Sequence, residues 1–502
     1  MALLVELLGR TLRRLMRGRK EKSLAQGVAQ ARALLQAGEF ERAAAALERA
    51  LQSNPGDAAA WSAYADVRFE LAQVDEAIVA YRAALERAPA SLRVRSNLLF
   101  ALAHREDDPL RLLEEHRRWA AAAAPERNAS RGVFDNPRDP ARRLRIGYVS
   151  GDFRGHAISM FIEPVLARHH AERIAVHCYD NAPSQDVVAR RLRGYGGAWR
   201  DIRGLGTAAL RELVRSDGID ILVDLAGHTA GHRLADFAQR LAPVQATWLG
   251  YHGTTGITAM DYRLTDRHAD PPGESEGNYV EQLARLPHCL WCYRPPAHAA
   301  QPPQRASRRG APVFASLNNL RKITPRMLDL WARILQRLPD SRLLVAGAGE
   351  GPARRGLLAQ LVGQGVEPTR VECVDWLQPA DFAAFHARVD IALDTYPFNG
   401  GATTIGALHA GVPVVSLAGR TAASRCGRTI LRNVGLEELV APDAEGYIEA
   451  ACALASDRVR LPVLQARLPE QLQSSPLMDE ARFVDDLEEL YRALWRRWCE
   501  KA

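Results

Sequence analysis

The sequence predicts a helical repeat module followed by two doubly wound α/β domains in tandem. Three observations carry this prediction. Residues 23–105 are helix-like and repeat with a 34-residue period. From Leu144 onward, short apolar runs alternate with helix-like segments, the signature of parallel sheets. A Pro-rich stretch at 294–312 divides this alternation into two halves of about 165 residues. A length of 502 residues accommodates two or three such domains.

The balance of 47% hydrophobic and 25% charged residues is that of a chain that buries a core, and it excludes a disordered, collagenous or disulfide-scaffold protein. No run approaches the length of an apolar membrane span. The seven scattered cysteines suit a reducing cytoplasm, the expected location. The net charge of +7 is mostly local: residues 1–22 hold seven basic and two acidic residues, which leaves the body nearly neutral. A nucleic-acid surface is therefore not implied. Of 66 basic residues four are lysines, and Lys322 is the one lysine between residues 23 and 500. This suggests a site that needs a compact ammonium rather than a planar fork, set against an accident of composition.

Residues 1–22 place Leu3, Leu4, Leu7, Leu8, Leu12 and Leu15 at helical spacing, with arginines between and after them. The expectation is a basic amphipathic helix packed on the next domain, with an anionic membrane surface as the alternative. In residues 23–105, Ala43, Ala50, Leu51 and Pro55 recur as Ala77, Ala84, Leu85 and Pro89. Small residues let paired helices approach, and the proline stops the second helix. The pattern resembles the tetratricopeptide repeat, with two units and a half unit at 92–104. Residues 106–141 read as a helix and linker. The domain at 142–300 carries strands at Leu144–Ser150, Ala175–Tyr179, Ile219–Leu225 and Val244–Gly250. The domain at 311–478 carries them at Pro312–Ser316, Leu343–Gly347, Val371–Val374, Ile391–Asp394 and Val412–Leu417. Residues 479–502 form a last helix, with Phe483, Leu487, Leu490, Tyr491 and Leu494 as the stripe that packs it back across the halves.

Ligands of doubly wound domains bind outside the strand C-termini, and four loops there concentrate polar residues. They are Gly151–His156, Ala226–His232, Leu317–Lys322 and Asn399–Thr404. The last is Gly-rich and opens a helix, which suits a phosphate; an ordinary strand-to-helix turn is the bland alternative. Gly347, Gly349 and Gly351 depart from dinucleotide-fold spacing and read as a turn. His156, His228 and His232 stand out because glycines flank them, and Asp152, Asp217 and Asp224 are further carboxylates. Cys289 and Cys292 form a lone CxxC without a second pair, so zinc is not expected.

The segments LRIGYVSGDFRGH, DGIDILVDLAGHTAGHR, FASLNNLRKITP and DIALDTYPFNGGATT, in this order after the repeats, resemble the O-linked N-acetylglucosamine transferase (SPINDLY-like) family, glycosyltransferase family 41, over residues 142–497. The resemblance implies two Rossmann-like domains in the GT-B arrangement. It implies an inverting, metal-independent transferase, without cofactor, that moves a sugar from a UDP-sugar to Ser or Thr of acceptor proteins, most simply N-acetylglucosamine. The repeats and cleft would receive the acceptor polypeptide. His156 matches the family's active-site histidine and is the base candidate, with Asp224 and His228 as second choices. Lys322 matches the lysine that neutralises the donor diphosphate, Asn319 a nucleotide-contacting position, and Thr403 a phosphate-contacting threonine beside Gly400, Gly401 and Thr404.

The chain departs from the pattern at Gly406, where relatives carry a ribose-binding acid, and at Phe382, where they carry histidine or tyrosine. Gly401, Ala402 and His252 also differ. Loss of the acid would weaken donor binding by a few kcal/mol if nothing replaced it. Another nucleotide-sugar donor, such as a fucose or hexose donor, and a repeat-bearing scaffold without turnover are the alternatives.

Overall fold

The computed structural model describes residues 29–31, 33–35, 37–124, 133–296, 310–378 and 381–500; the helix expected over residues 1–22 lies outside them. The repeat module comprises α1 (Phe40–Ser53), α2 (Ala58–Glu70), α3 (Val74–Arg87), α4 (Leu92–Leu102) and α5 (Pro109–Ala123). Buried Ala43, Ala46, Ala50, Ala60 and Ala63 bring the helices close. Caps set their starts: Asp57 accepts from the amides of Ala59 and Ala60 ahead of α2, and Asp108 accepts from Leu110 N ahead of α5, whose first residue is Pro109. The half unit expected at 92–104 is completed by α5, the helix expected within 106–141. The reason is a tertiary partner: Trp119, fully buried, joins Leu99 in a core with Val214, Leu222, Phe237 and Ile257 of the next domain.

The first α/β lobe contains β1 (Leu144–Ser150), α6 (Ser159–Arg168), β2 (Ile174–Asp180), α7 (Val187–Arg193), β3 (Ala198–Asp201), α8 (Thr207–Ser216), β4 (Ile221–Asp224), α9 (Leu234–Phe237), β5 (Val244–Thr247), β6 (Tyr262–Asp266) and β7 (Gln282–Leu286). Its sheet runs β3-β2-β1-β4-β5-β6-β7, and every pairing is parallel. The second lobe contains β8 (Val313–Ser316), α10 (Pro325–Arg337), β9 (Arg342–Val345), α11 (Pro352–Gly363), β10 (Val371–Cys373), α12 (Phe382–His386), β11 (Ile391–Leu393), α13 (Ala402–His409), β12 (Val414–Leu417), α14 (Cys426–Val434), β13 (Val440–Ala441), α15 (Ala444–Ser456) and α16 (Arg460–Gln473). Its parallel sheet runs β10-β9-β8-β11-β12-β13. Each sheet reverses its strand order beside its first strand, between β1 and β4 and between β8 and β11. The loops leaving those strands flank the ligand crevice of a doubly wound fold.

The last helix, α17 (Glu480–Glu500), returns to the first lobe. Phe483 stacks on Trp248, and the Tyr491 and Tyr148 hydroxyls lie 3.2 Å apart. Glu488 accepts from His169 Nδ1 and His170 N, both at 2.9 Å, and Trp495 donates to Asp139 O at 3.0 Å. Among the described residues no helix is long and apolar enough to cross a membrane.

The repeat module docks with no room to spare. Gly256 has φ +76°, and a Cβ built there would stand 2.4 Å from His116 O on α5. Gly256→Ala therefore combines a left-handed alanine with a backbone collision and is expected to cost about 2–4 kcal/mol. Thermal and urea unfolding of this variant against wild type checks the value.

Candidate active site

Every residue of β1 except Arg145 is buried, Ser150 included, and the chain leaves the sheet at Gly151. Gly151 permits the break: a Cβ there would lie 3.2 Å from Ala230 O and Gly231 Cα, so the two crevice loops of the first lobe touch. Asp152 is buried and pairs with Arg154 at 3.2 Å. Asp186 holds the loop from outside by accepting from Gly155 N at 2.7 Å. His156 Nδ1 lies 3.3 Å from Ile158 N and 3.6 Å from Asp152 Oδ2, and its side chain is 41% exposed. Burial lowers its pKa from 6.5, Asp152 opposes this, and Arg154 adds to it. His156 is thus a neutral, accessible imidazole at neutral pH. Nδ1 accepts from Ile158 N, so the neutral ring carries its proton on Nε2 in this arrangement.

The two second choices for a base fall away. Asp224, at the end of β4, is fully buried and accepts from Ala226 N, Gly227 N and Thr247 Oγ1 at 3.2, 2.8 and 2.9 Å. Burial lifts it to about 6, but its oxygens are spent shaping the loop. His228 is buried with both nitrogens engaged, Nδ1 at 3.2 Å from Ser96 Oγ and Nε2 at 3.1 Å from Thr255 O. Its ring meets those of His116, Trp119 and Tyr251. It is a docking residue for the repeat module, held neutral by burial. His232 lies beside it, lowered to about 4.

In the second lobe, Asp394 follows β11 and organises the Gly-rich turn. Its carboxylate accepts from Thr395 N at 2.8 Å, Gly400 N at 2.7 Å, Asn318 Nδ2 at 3.1 Å and Ser416 Oγ at 2.7 Å. Gly400 admits no side chain: a Cβ would stand 2.5 Å from Thr404 Oγ1 and 2.6 Å from Thr403 Oγ1. The turn delivers the N-terminus of α13, with Thr403 Oγ1 donating to Asn318 Oδ1 at 2.9 Å. Thr404 is buried behind the turn, whereas Thr403 reaches the crevice. Lys322 donates from Nζ to Asn399 O at 2.8 Å, and its ammonium sits 4.3 Å from the centroid of the Phe398 ring. Two of its three N–H groups are left for a ligand. Burial lowers its pKa, and the Asp394 charge partly restores it. Asn319 caps the turn carrying Lys322 by accepting from Arg321 N at 3.0 Å.

A cavity of about 500 Å³ opens at these strand ends. Asn318, Asn319 and Thr403 line it on one side, Gly347, Gly349 and Gly351 on another, and Trp376 with Phe382 on the rim. The GAGEG segment, expected to be an ordinary turn, is thus a wall of the cavity, because β9 ends beside β8. Phe40, Glu70, Leu71 and Ala72 of the repeat module supply the remaining wall, and no local signal marks them. Trp376, 72% exposed, was likewise not singled out from the sequence. Gly406 faces open space: a Cβ built there meets nothing within 4 Å. Trp291 links the halves: its ring contacts Phe161, just beyond the His156 loop, and His252, and it lies 3.9 Å from a Cβ built on Gly401.

Two Rossmann-like domains with their crevices turned toward each other, preceded by tetratricopeptide helices, define a glycosyltransferase of the GT-B fold. The chain belongs to glycosyl transferase family 41, whose sequence model matches residues 130–293 and 304–487; a tetratricopeptide model matches residues 28–91. A probable UDP-N-acetylglucosamine–peptide N-acetylglucosaminyltransferase SPINDLY of Petunia hybrida is 40% identical over 82% of this chain and 45% of its own length. The protein of the same description from Oryza sativa is 38% identical over 84% of this chain and 46% of its own. The chain spans about half the length of these curated relatives. Among solved structures, a mutant O-GlcNAc transferase of Thermobaculum terrenum superposes with a TM-score of 0.87 at 38% identity, over 97% of this chain and 92% of that one.

The electrostatics of His156 give a signed expectation. Its titration midpoint, followed by NMR, falls below 6.5 because burial outweighs Asp152. Asp152→Asn removes the charge that raises it, so the midpoint moves lower still.

Proposed function

We propose that this chain is an inverting, metal-independent protein O-glycosyltransferase. It moves a sugar, N-acetylglucosamine in the first instance, from a UDP-sugar to Ser or Thr hydroxyls of an acceptor polypeptide. Family membership and the likeness to transferases of this kind support the reaction class. The observation that carries the donor assignment is the Lys322 ammonium, fixed against the Gly-rich turn beside the amides that open α13.

In this reading the acceptor oxygen bonds to the anomeric carbon as the bond from that carbon to the diphosphate oxygen breaks. The acceptor proton passes to the His156 imidazole, and UDP leaves with the electron pair. A single displacement inverts the anomeric configuration. Negative charge grows on the departing diphosphate, and Lys322 with the α13 amides opposes it in a partly dry site. These groups supply the positive charge that a metal would otherwise bring. Trp376 and Phe382 offer aromatic faces to the nucleobase. The acceptor polypeptide reaches His156 along the repeat module and the first lobe. A cytoplasmic location accords with seven unpaired cysteines.

Calorimetric titration with UDP tests the reading. Binding is expected without metal and unchanged by added Mg²⁺, and Lys322→Ala should weaken it by about 10- to 100-fold. A folded protein that ignores UDP but binds GDP would shift the assignment to another donor, as the open face at Gly406 allows. One that binds neither nucleotide would leave the scaffold reading.

A further inference from the structure

The repeat module does more than stand beside the cleft. His104, just past α4, is buried, and its Nδ1 lies 2.8 Å from Phe100 O, which fixes the plane of the imidazole. That ring stacks on Phe398 with centroids 4.7 Å apart and planes inclined by 27°. Phe398 in turn carries the Lys322 ammonium 4.3 Å from its ring centroid. Next to His104, Arg105 donates from Nη1 to Arg321 O at 2.9 Å, gripping the backbone one residue before Lys322. Glu70 of α2 pairs with the Arg321 guanidinium at 2.9 Å, and that guanidinium lies over Phe69. Arg105, Glu70 and Phe69 of the repeat module thus hold Arg321, next to Lys322, and His104 holds the Phe398 ring.

We propose that His104 is a positioning residue for Lys322, acting through Phe398, so that the donor site is complete only when the repeat module is docked. This rests on the diphosphate role of Lys322 proposed above. A cation is held by the face of an aromatic ring only while that face stays put. Phe398 stands in the loop between Pro397 and Asn399, and the His104 imidazole is the ring stacked on it. His104 itself is neutral, lowered to about 3 by burial, so it supports the ring without repelling the ammonium.

The test is a double-mutant cycle read by UDP titration on the full chain, with thermal unfolding as the check on folding. His104→Ala should weaken UDP binding by about 3- to 30-fold, the span of a desolvated cation–π contact. His104→Phe, which keeps the stack, should return affinity to within about twofold of wild type. In a Lys322→Ala background, His104→Ala should have no further effect, because the two act as one unit. Phe398→Leu gives the same reading from the other side of the stack if His104→Ala fails to fold. Equal losses in both backgrounds, or wild-type affinity in His104→Ala, would overturn the proposal while leaving the donor assignment standing. Wild-type affinity in Lys322→Ala would overturn both.

Discussion

The Phe398 ring is touched from three directions, and the arrangement of the molecule follows from keeping all three. His104 and Phe100 reach it from the repeat module, His252 from the first lobe, and Lys322 from its own lobe. Tyr251, Ala103 and Ala423 close the cluster around it. A shift of either lobe or of the repeats changes the surroundings of the same ammonium. The cis bond between Tyr396 and Pro397 lies just before this ring, and the Asn399 carbonyl just after it accepts a hydrogen bond from the lysine ammonium. Site and domain junction are therefore one structure, built on about four consecutive residues.

The junction is buried, and its chemistry shows how a polar interface tolerates that. Histidines 104, 116, 232 and 252 are all pushed down by burial, to between about 3 and about 4, and His228 is held well below its ordinary value by the same cause. Neutral imidazoles bring ring area and specific hydrogen bonds without the desolvation cost of a charge. His116 Nε2, for example, lies 2.9 Å from Tyr251 Oη. The charged contacts sit further out, in the pairs Arg321–Glu70, Arg326–Asp107 and Arg355–Glu41. Screened by water, these add orientation more than stability.

The central strands were legible because each is a short apolar run between helical segments. The strands β3, β6, β7 and β13 were not. In β6, Arg263 and Asp266 are buried in the sheet, and Arg263 donates from Nη1 to Tyr251 O and Gly253 O of a neighbouring loop. No apolar run exists there to be seen, only a long-range partner. The loops after β1, β8 and β11 were legible because strand C-termini in this topology converge on one crevice, whatever their sequence separation. His228 misled for the opposite reason: a glycine-flanked histidine after a strand looks exposed until Ser96, 132 residues earlier, is placed against it. Asp394, Trp376 and the contribution of Glu70 also depend on such distant placements.

The scarcity of lysine has a practical corollary. A chain whose cations are otherwise arginine carries, between residues 23 and 500, a single primary amine on a side chain. Isotope enrichment confined to lysine would make that ammonium a lone spectroscopic reporter inside the folded body, since the other three lysines lie near the ends of the sequence. Its chemical shift would register whatever anion occupies the crevice, and the seating of the Phe398 ring beneath it, in one observation.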